Sequence, residues 1–232
     1  MTARFPALPP PITEQAVDAD GVWSLYLWIA YGVAALVAIL MVWVIVRYRR
    51  RTDDLPPQKH YNIPVEVLYT ILPLLAVVGL FAASFSTIRA IDRTEEAPDL
   101  VVDVVAFQWQ WEFAYPASGV RVAGTDTTEP VLVLPASSTV RFDMTSRDVI
   151  HSFWLTPFRF KRDIIPGRPA SFSVNIGDAA GSYPNAGVCA EFCGLDHALM
   201  RFSLLVLEPA EFAAWLAEQP TDSPVVVEEP SP

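Results

Sequence analysis

The sequence predicts an N-terminal transmembrane α-helical hairpin followed by an all-β sandwich or barrel domain. Three observations carry this: two long uncharged apolar runs near the start, a later series of short β-branched and aromatic runs broken by turn residues, and a cluster of metal-ligating side chains between the last of those runs.

The apolar fraction is 52%, slightly above the ordinary globular range, and the excess is local. Residues 22–46 and 67–88 contain no Asp, Glu, Lys or Arg. Each run exceeds the ~20 residues a helix needs to cross a bilayer core, although a buried core helix could be as apolar. Trp23, Tyr26 and Trp28 near one end of the first run, with Trp43 and Tyr48 near the other, have the pattern of interfacial aromatic belts. The connecting loop sets Arg47, Arg49, Arg50, Arg51 and Lys59 against Asp53 and Asp54, and such basic excess is retained on the cytoplasmic side. The hairpin is therefore expected to turn inside, with both termini outside. Arg4 is the only base before the first run, which is too long for the apolar region of a cleaved signal, so a retained anchor is expected. Pro73 and Gly79 in the second run are tolerated where neighbouring helices satisfy the backbone, which suggests a larger membrane partner. The expected organisation is an outer segment 1–21, a hairpin 22–94 with cytoplasmic loop 47–64, a β domain 95–207, and 208–232 as a short helix with a disordered acidic tail.

In the β domain, runs at 100–107, 131–134, 139–144, 149–155, 171–176 and 201–207 alternate with Pro, Gly, Asp and Ser clusters. About eight short strands argue a sandwich or barrel. Residues 209–219 start with Pro and stop before Pro220, which reads as a short amphipathic helix. Beyond it, 221–232 is rich in Pro and acid and has no packing face. From residue 98 onward there are 17 acidic and 8 basic side chains, and four of the bases lie within 159–168. A soluble basic partner steered by charge is the functional inference, with solubility alone as the plainer one. The sequence has no internal repeat, glycine-rich phosphate loop or Cys-x-x-Cys-His heme attachment site, so a fused cytochrome c domain is not expected.

Both cysteines, two of the three histidines and one of the four methionines fall into one constellation. Cys189, Glu191, Cys193, His197 and Met200 lie in a single loop, and His151 lies on an apolar strand-like run upstream. Thiolate, thioether and imidazole together select copper. The surplus of donors fits a pair of coppers better than one: with both thiolates bridging, each metal takes an imidazole and one weak axial donor, Met200 sulfur or the Glu191 carbonyl. Such a centre suits electron transfer. A Cys189–Cys193 disulfide and a Cys2His2 zinc site are the simpler alternatives, but neither uses Met200. With the loop between the last two strands and His151 on a neighbouring one, the arrangement is that of a cupredoxin.

DVIHSFW at 148–154 and CAEFCGLDHALM at 189–200 resemble subunit II of cytochrome c oxidase, the CuA-bearing subunit of heme-copper oxidases. FQWQWEF at 107–113, KRDIIPGR at 161–168 and VEVLYTILP at 65–73 extend the resemblance over most of 22–216. The resemblance implies a cupredoxin-like domain with a binuclear CuA centre held by His151, Cys189, Glu191 through its carbonyl, Cys193, His197 and Met200. It also implies electron entry at Trp109 from cytochrome c, whether soluble, membrane-anchored or fused in a supercomplex. Electrons then pass to heme a in subunit I, where oxygen reduction at heme and CuB is coupled to proton translocation. By the same resemblance the Glu191 carboxylate helps hold a Mg or Mn ion at the subunit I interface, and Glu66 guides protons into the pathway of that subunit. As bare residues, Glu191 could be a surface acid, Glu66 an interfacial anchor, and Trp109 and Trp111, two apart on an expected strand, core packing on one face. An acid common in the family is replaced by Ala114, with Glu112 nearby. Asp148 could support His151 or face a partner, and His60 is expected to be solvated. The expected setting is a bacterial plasma membrane with the copper domain outside, lipid and the other oxidase subunits as partners, and no nucleic acid. A copper-free quinol oxidase subunit and a copper carrier are the competing functions.

Overall fold

The computed structural model describes residues 8–51, 53, 58–125, 127–221 and 223–227. Asp54 in the basic loop and the acidic end of the tail at 228–232 lie outside them. The described residues form two compact units: a helix pair within 20–88, and a second unit in which 8–19 joins the described residues of 89–227.

Helices α1 (Glu14–Arg47) and α2 (Ile63–Ile91) contain the two uncharged runs. At about 1.5 Å per residue, 34 and 29 residues make rods of roughly 51 and 44 Å, longer than a ~30 Å hydrocarbon core. Their apolar side chains are exposed along nearly the whole length, as expected of surfaces that lipid or other membrane helices cover. Tyr26 Oη and Ser84 Oγ hydrogen-bond at 2.8 Å between the two helices. At the start of α2, Glu66 Oε1 accepts the Asn62 N–H at 2.8 Å, satisfying one of the donors that a helix start leaves without an intrahelical partner.

The second unit is a sandwich of two five-stranded sheets. One has the order β3 (Val120–Ala123), β2 (Gln110–Tyr115), β1 (Leu100–Phe107), β5 (Ser138–Ser146), β8 (Ala170–Ile176). The other has the order β4 (Val131–Pro135), β10 (Arg201–Leu207), β9 (Gly181–Cys189), β6 (His151–Leu155), β7 (Phe160–Ile164). The strands number ten among the described residues, against about eight expected. The additional ones include β7 and β9, whose polar and Gly-containing sequences hide the strand pattern. Alternation decides which face is inward: Val102, Val104 and Ala106 on β1, and Val140, Phe142 and Met144 on β5, are fully buried. Aromatic rings fill the space between the sheets, with Phe153 stacked on Phe202 at 5.1 Å and Trp111 edge-on to both at 5.6 and 5.5 Å. Gly187 is required here because a Cβ at that position would fall 2.0 Å from the Phe202 ring. Tyr115 ties the sheets together, its hydroxyl donating to the Val133 carbonyl at 2.8 Å and accepting the Val133 N–H at 3.0 Å.

The structure adds to one expectation and corrects two. Within the expected outer segment 1–21, α1 begins at Glu14, and the described residues 8–13 before it form a strap on the sandwich. Ile12 donates its N–H to the Pro157 carbonyl and accepts the Gly177 N–H, Thr13 bridges to Ile176, and Arg159 holds the Pro9 carbonyl. The described part of the C-terminal tail is likewise ordered. After α3 (Pro209–Glu218), Val225 exchanges hydrogen bonds with Arg121 and Ala123 on β3. Main-chain pairing, which composition does not reveal, joins Val225 to β3, and Val225 and Val227 pack against the core. Finally, Trp109 and Trp111 do not share a face. Gln108 and Trp109 form the turn of the β1–β2 hairpin, closed by the Phe107 and Gln110 pair, so only Trp111 enters the core.

Candidate metal centre

Strand β9 ends at Cys189, and β10 begins at Arg201. The loop between them is held at both ends by main-chain bonds: Cys189 N–H to the Met200 carbonyl, and Ala190 N–H to the Ser152 carbonyl, both 2.9 Å. Gly194 adopts φ +120°, and a single 3₁₀ turn, His197–Leu199, brings His197 back toward Cys193. His151 comes from β6, paired with β9, and points inward with Phe153.

All six ligand candidates converge. Cys189 Sγ lies 3.8 Å from His151 Nδ1 and 3.3 Å from the Glu191 carbonyl oxygen. Cys193 Sγ lies 3.6 Å from His197 Nδ1 and 3.8 Å from Met200 Sδ. The sulfurs are 3.7 Å apart, far beyond the ~2.05 Å of a disulfide, and both cysteines are free. Each sulfur thus has one imidazole and one weak donor beside it, while His151, Cys189, Cys193 and Met200 are buried.

The electrostatics ask for a cation. Burial alone would raise the Cys189 thiol, but hydrogen bonds with His151, with the main chain of Ser152 and Glu191 and with His197 bring it down to about 6. Burial and the adjacent Cys189 charge push Cys193 up to about 12. Without a cation Cys193 therefore stays a thiol beside the Cys189 thiolate, and a soft cation between them would let both ionise; the donor set fits copper by its softness. His151 is oriented from behind: Asp148 Oδ1 is 2.8 Å from Nε2, leaving Nδ1 to face the sulfur. Asp148 thus supports His151 while its side chain remains partly at the surface.

Other positions read as follows. The Glu191 carboxylate is exposed and turns back to the Phe192 N–H at 3.2 Å. Trp109 donates its indole N–H to the Cys193 carbonyl at 3.1 Å, which brings it against the ligand loop. Glu112 is 8% exposed and bonded to Arg147 at 3.1 Å, so it offers no free surface charge. Glu66 lies in the helix-pair unit, remote from the ligands in sequence and bonded to its own helix start. Gln108 also reaches the Cys193 carbonyl, at 2.8 Å, a contact for which the sequence carries no local signal. The Asp148-x-x-His151 spacing was the legible part.

Comparison with known proteins agrees. Residues 100–207 match the family described as cytochrome C oxidase subunit II, periplasmic domain, and residues 8–87 the corresponding transmembrane domain. A probable cytochrome c oxidase subunit 2 of Streptomyces avermitilis is 36% identical over 92% of this chain and 79% of its own length. The cytochrome c oxidase subunit 2 of Mycobacterium tuberculosis is 30% identical over 83% of this chain and 70% of that protein. A crystal structure of the periplasmic domain of subunit II of cytochrome oxidase of Bradyrhizobium japonicum is 31% identical, covering 54% of this chain and 96% of that one, with a TM-score of 0.48.

Fold and site define a membrane protein with two apolar helices and a cupredoxin-like periplasmic domain bearing a soft-metal donor cage. The chain belongs to the cytochrome c oxidase subunit II family. It is accordingly an electron-transfer subunit of that oxidase.

Proposed function

We propose that His151, Cys189, the Glu191 carbonyl, Cys193, His197 and Met200 hold a binuclear copper centre that accepts electrons from cytochrome c beside Trp109 and passes them to heme a in the catalytic subunit. The observation that carries this is the paired donor arrangement, one imidazole and one weak axial atom beside each of two sulfurs. When bound, the copper pair supplies reversible one-electron storage shared over two metals and two sulfurs.

This chain's own residues do the rest. The buried cage keeps water from the sulfurs, and the sandwich holds the ligands so that little needs to move on reduction. Asp148 fixes the His151 ring, and the main-chain bonds between Cys189, Met200, Ala190 and Ser152 keep the loop closed. Trp109 is positioned by its bond to the Cys193 carbonyl, at the edge of a surface groove lined also by Glu129 and Asp196. Acidic groups there suit a basic protein donor. The exposed Glu191 carboxylate is free to help bind a Mg or Mn ion with oxygens from the catalytic subunit. Glu66 is assigned to proton entry at the inner end of α2. Its bond to Asn62 would have to open for that role.

The placement is in a bacterial plasma membrane, with both chain ends on the outer side. Two features support this orientation: the strap before α1 and the segment after α2 both join the copper domain, and the loop between the helices carries the basic excess.

Copper analysis with electron paramagnetic resonance tests the centre. A pair of coppers per chain should share one unpaired electron, giving more hyperfine lines than one copper nucleus can. A single-copper pattern, or zinc instead, would end the assignment. Trp109→Phe should keep that signal and slow oxidation of cytochrome c by about tenfold or more.

A further inference from the structure

Two donors from one turn converge on the main-chain carbonyl of Cys193: Gln108 Nε2 at 2.8 Å and Trp109 Nε1 at 3.1 Å. A carbonyl oxygen has two lone pairs, so these donors saturate it. Gly194 independently shows that the loop is shaped for them. A Cβ there would lie 3.1 Å from both Gln108 Nε2 and Trp109 Nε1, and the φ of +120° suits glycine. Gln108 makes a further tie through its own N–H, which donates to Asp148 Oδ2 at 2.7 Å, while Asp148 Oδ1 holds His151 Nε2. One exposed residue is therefore bonded toward a sulfur ligand by its side chain and toward an imidazole ligand by its backbone.

We propose that Gln108 is a positioning residue for electron entry, a clamp that holds the turn carrying Trp109 against the Cys193 carbonyl and links it to the His151 support; this rests on the copper and Trp109 assignments above. With the indole held, the connection from Nε1–H to sulfur runs through one hydrogen bond and then the C=O, C–Cα, Cα–Cβ and Cβ–Sγ bonds of Cys193, with no jump through space. Without the Gln108 amide, the turn that carries Trp109 keeps only one of its two side-chain bonds to that carbonyl, the one from the indole. Both N–H dipoles also aim their positive ends at Cys193. Losing one makes the centre more electron-rich and lowers its reduction potential, because hydrogen bonds around metal ligands tune the metal.

Gln108→Met, which keeps side-chain length and removes the donor, tests this in the full chain assembled in its oxidase. The expected result is a reduction potential shifted downward, an altered copper hyperfine pattern, and a kcat for cytochrome c oxidation lowered about tenfold with KM little changed. Gln108→Glu, which sets an oxygen against the carbonyl oxygen, should slow entry further. A raised KM with stronger salt dependence, at unchanged potential and spectrum, would make Gln108 a mere partner contact and overturn the proposal, as would no change at all. Trp109→Phe run in parallel separates the failures. A Trp109→Phe oxidase at wild-type rate would refute entry at Trp109 itself, whereas slow Trp109→Phe with unaltered Gln108→Met would refute only the clamp.

Discussion

Asp148 illustrates how a short-range pattern and a long-range contact combine at one side chain. Burial alone would raise its carboxyl, but hydrogen bonds from His151 and from the Gln108 and Val149 N–H groups hold it below the usual carboxylate range. Burial alone would lower His151, but its bonds with Cys189 and Asp148 hold it above the usual histidine value. In the copper-free chain the Asp148 contribution to stability is complete above about pH 4, the ordinary Asp value, and is lost as pH falls through the depressed folded value. The His151 contribution is complete below about pH 6.5 and is lost as pH rises through the raised folded value. The pair therefore stabilises most between those limits. Asp148→Asn should lower the thermal midpoint of the copper-free chain most inside that window, with the gap to wild type narrowing on both sides. A constant gap across pH would mean that the pair does not carry the effect. Asp148 and His151 are three residues apart and the ligand loop is contiguous, so spacing and donor chemistry made them legible. Gln108 was not legible because its acceptor lies 85 positions away and only the folded hairpin brings them together.

At the scale of elements, the free edges of one sheet are managed by the chain's own ends. The β8 edge is met by the strap through the Thr13–Ile176 bridge and the Gly177 N–H to Ile12 carbonyl bond, and the β3 edge by Val225. Exposed edges invite pairing with other chains, and neither cover was readable from composition. The strands themselves were legible where β-branched and aromatic residues alternate. The β1–β2 turn was missed because Gln108 and Trp109 continue that aromatic pattern with no Gly or Pro to break it. The two covers differ in strength. Ile12 is 7% exposed and packs in the core, so Ile12→Ala should cost about 2 kcal/mol, at the low end for such truncations. Val225→Pro removes the N–H that donates to the Arg121 carbonyl at 2.8 Å, and should cost about 1 kcal/mol. Denaturant unfolding of the copper-free chain measures both. Equal losses would show that the strap adds nothing beyond its hydrogen bonds.

For the molecule as a whole, the decisive feature is that the strap before α1 and the chain after α2 belong to the same unit as the copper domain. Each helix is long enough to cross a bilayer. In the segment between them Arg47, Arg49, Arg50, Arg51 and Lys59 outnumber the acids, and translocating such basic charge is disfavoured. A cleaved first helix would remove Ile12, Thr13 and Ala16 from the sandwich, three residues that are at most 7% exposed; retention of α1 is thus coupled to the stability of the domain it precedes. Single cysteines at His60 in the loop and at exposed Asp178 in the domain, placed in copper-loaded protein so that Cys189 and Cys193 are protected, can be read with a membrane-impermeant thiol reagent on intact cells. Asp178→Cys should label and His60→Cys should label only after the membrane is opened. Labelling of His60→Cys on intact cells would invert the hairpin and place the copper domain away from any outer electron donor. Mass spectrometry of the same preparations should recover peptides spanning residues 9–16. Their absence from the mature protein would show that the strap does not secure the folded domain.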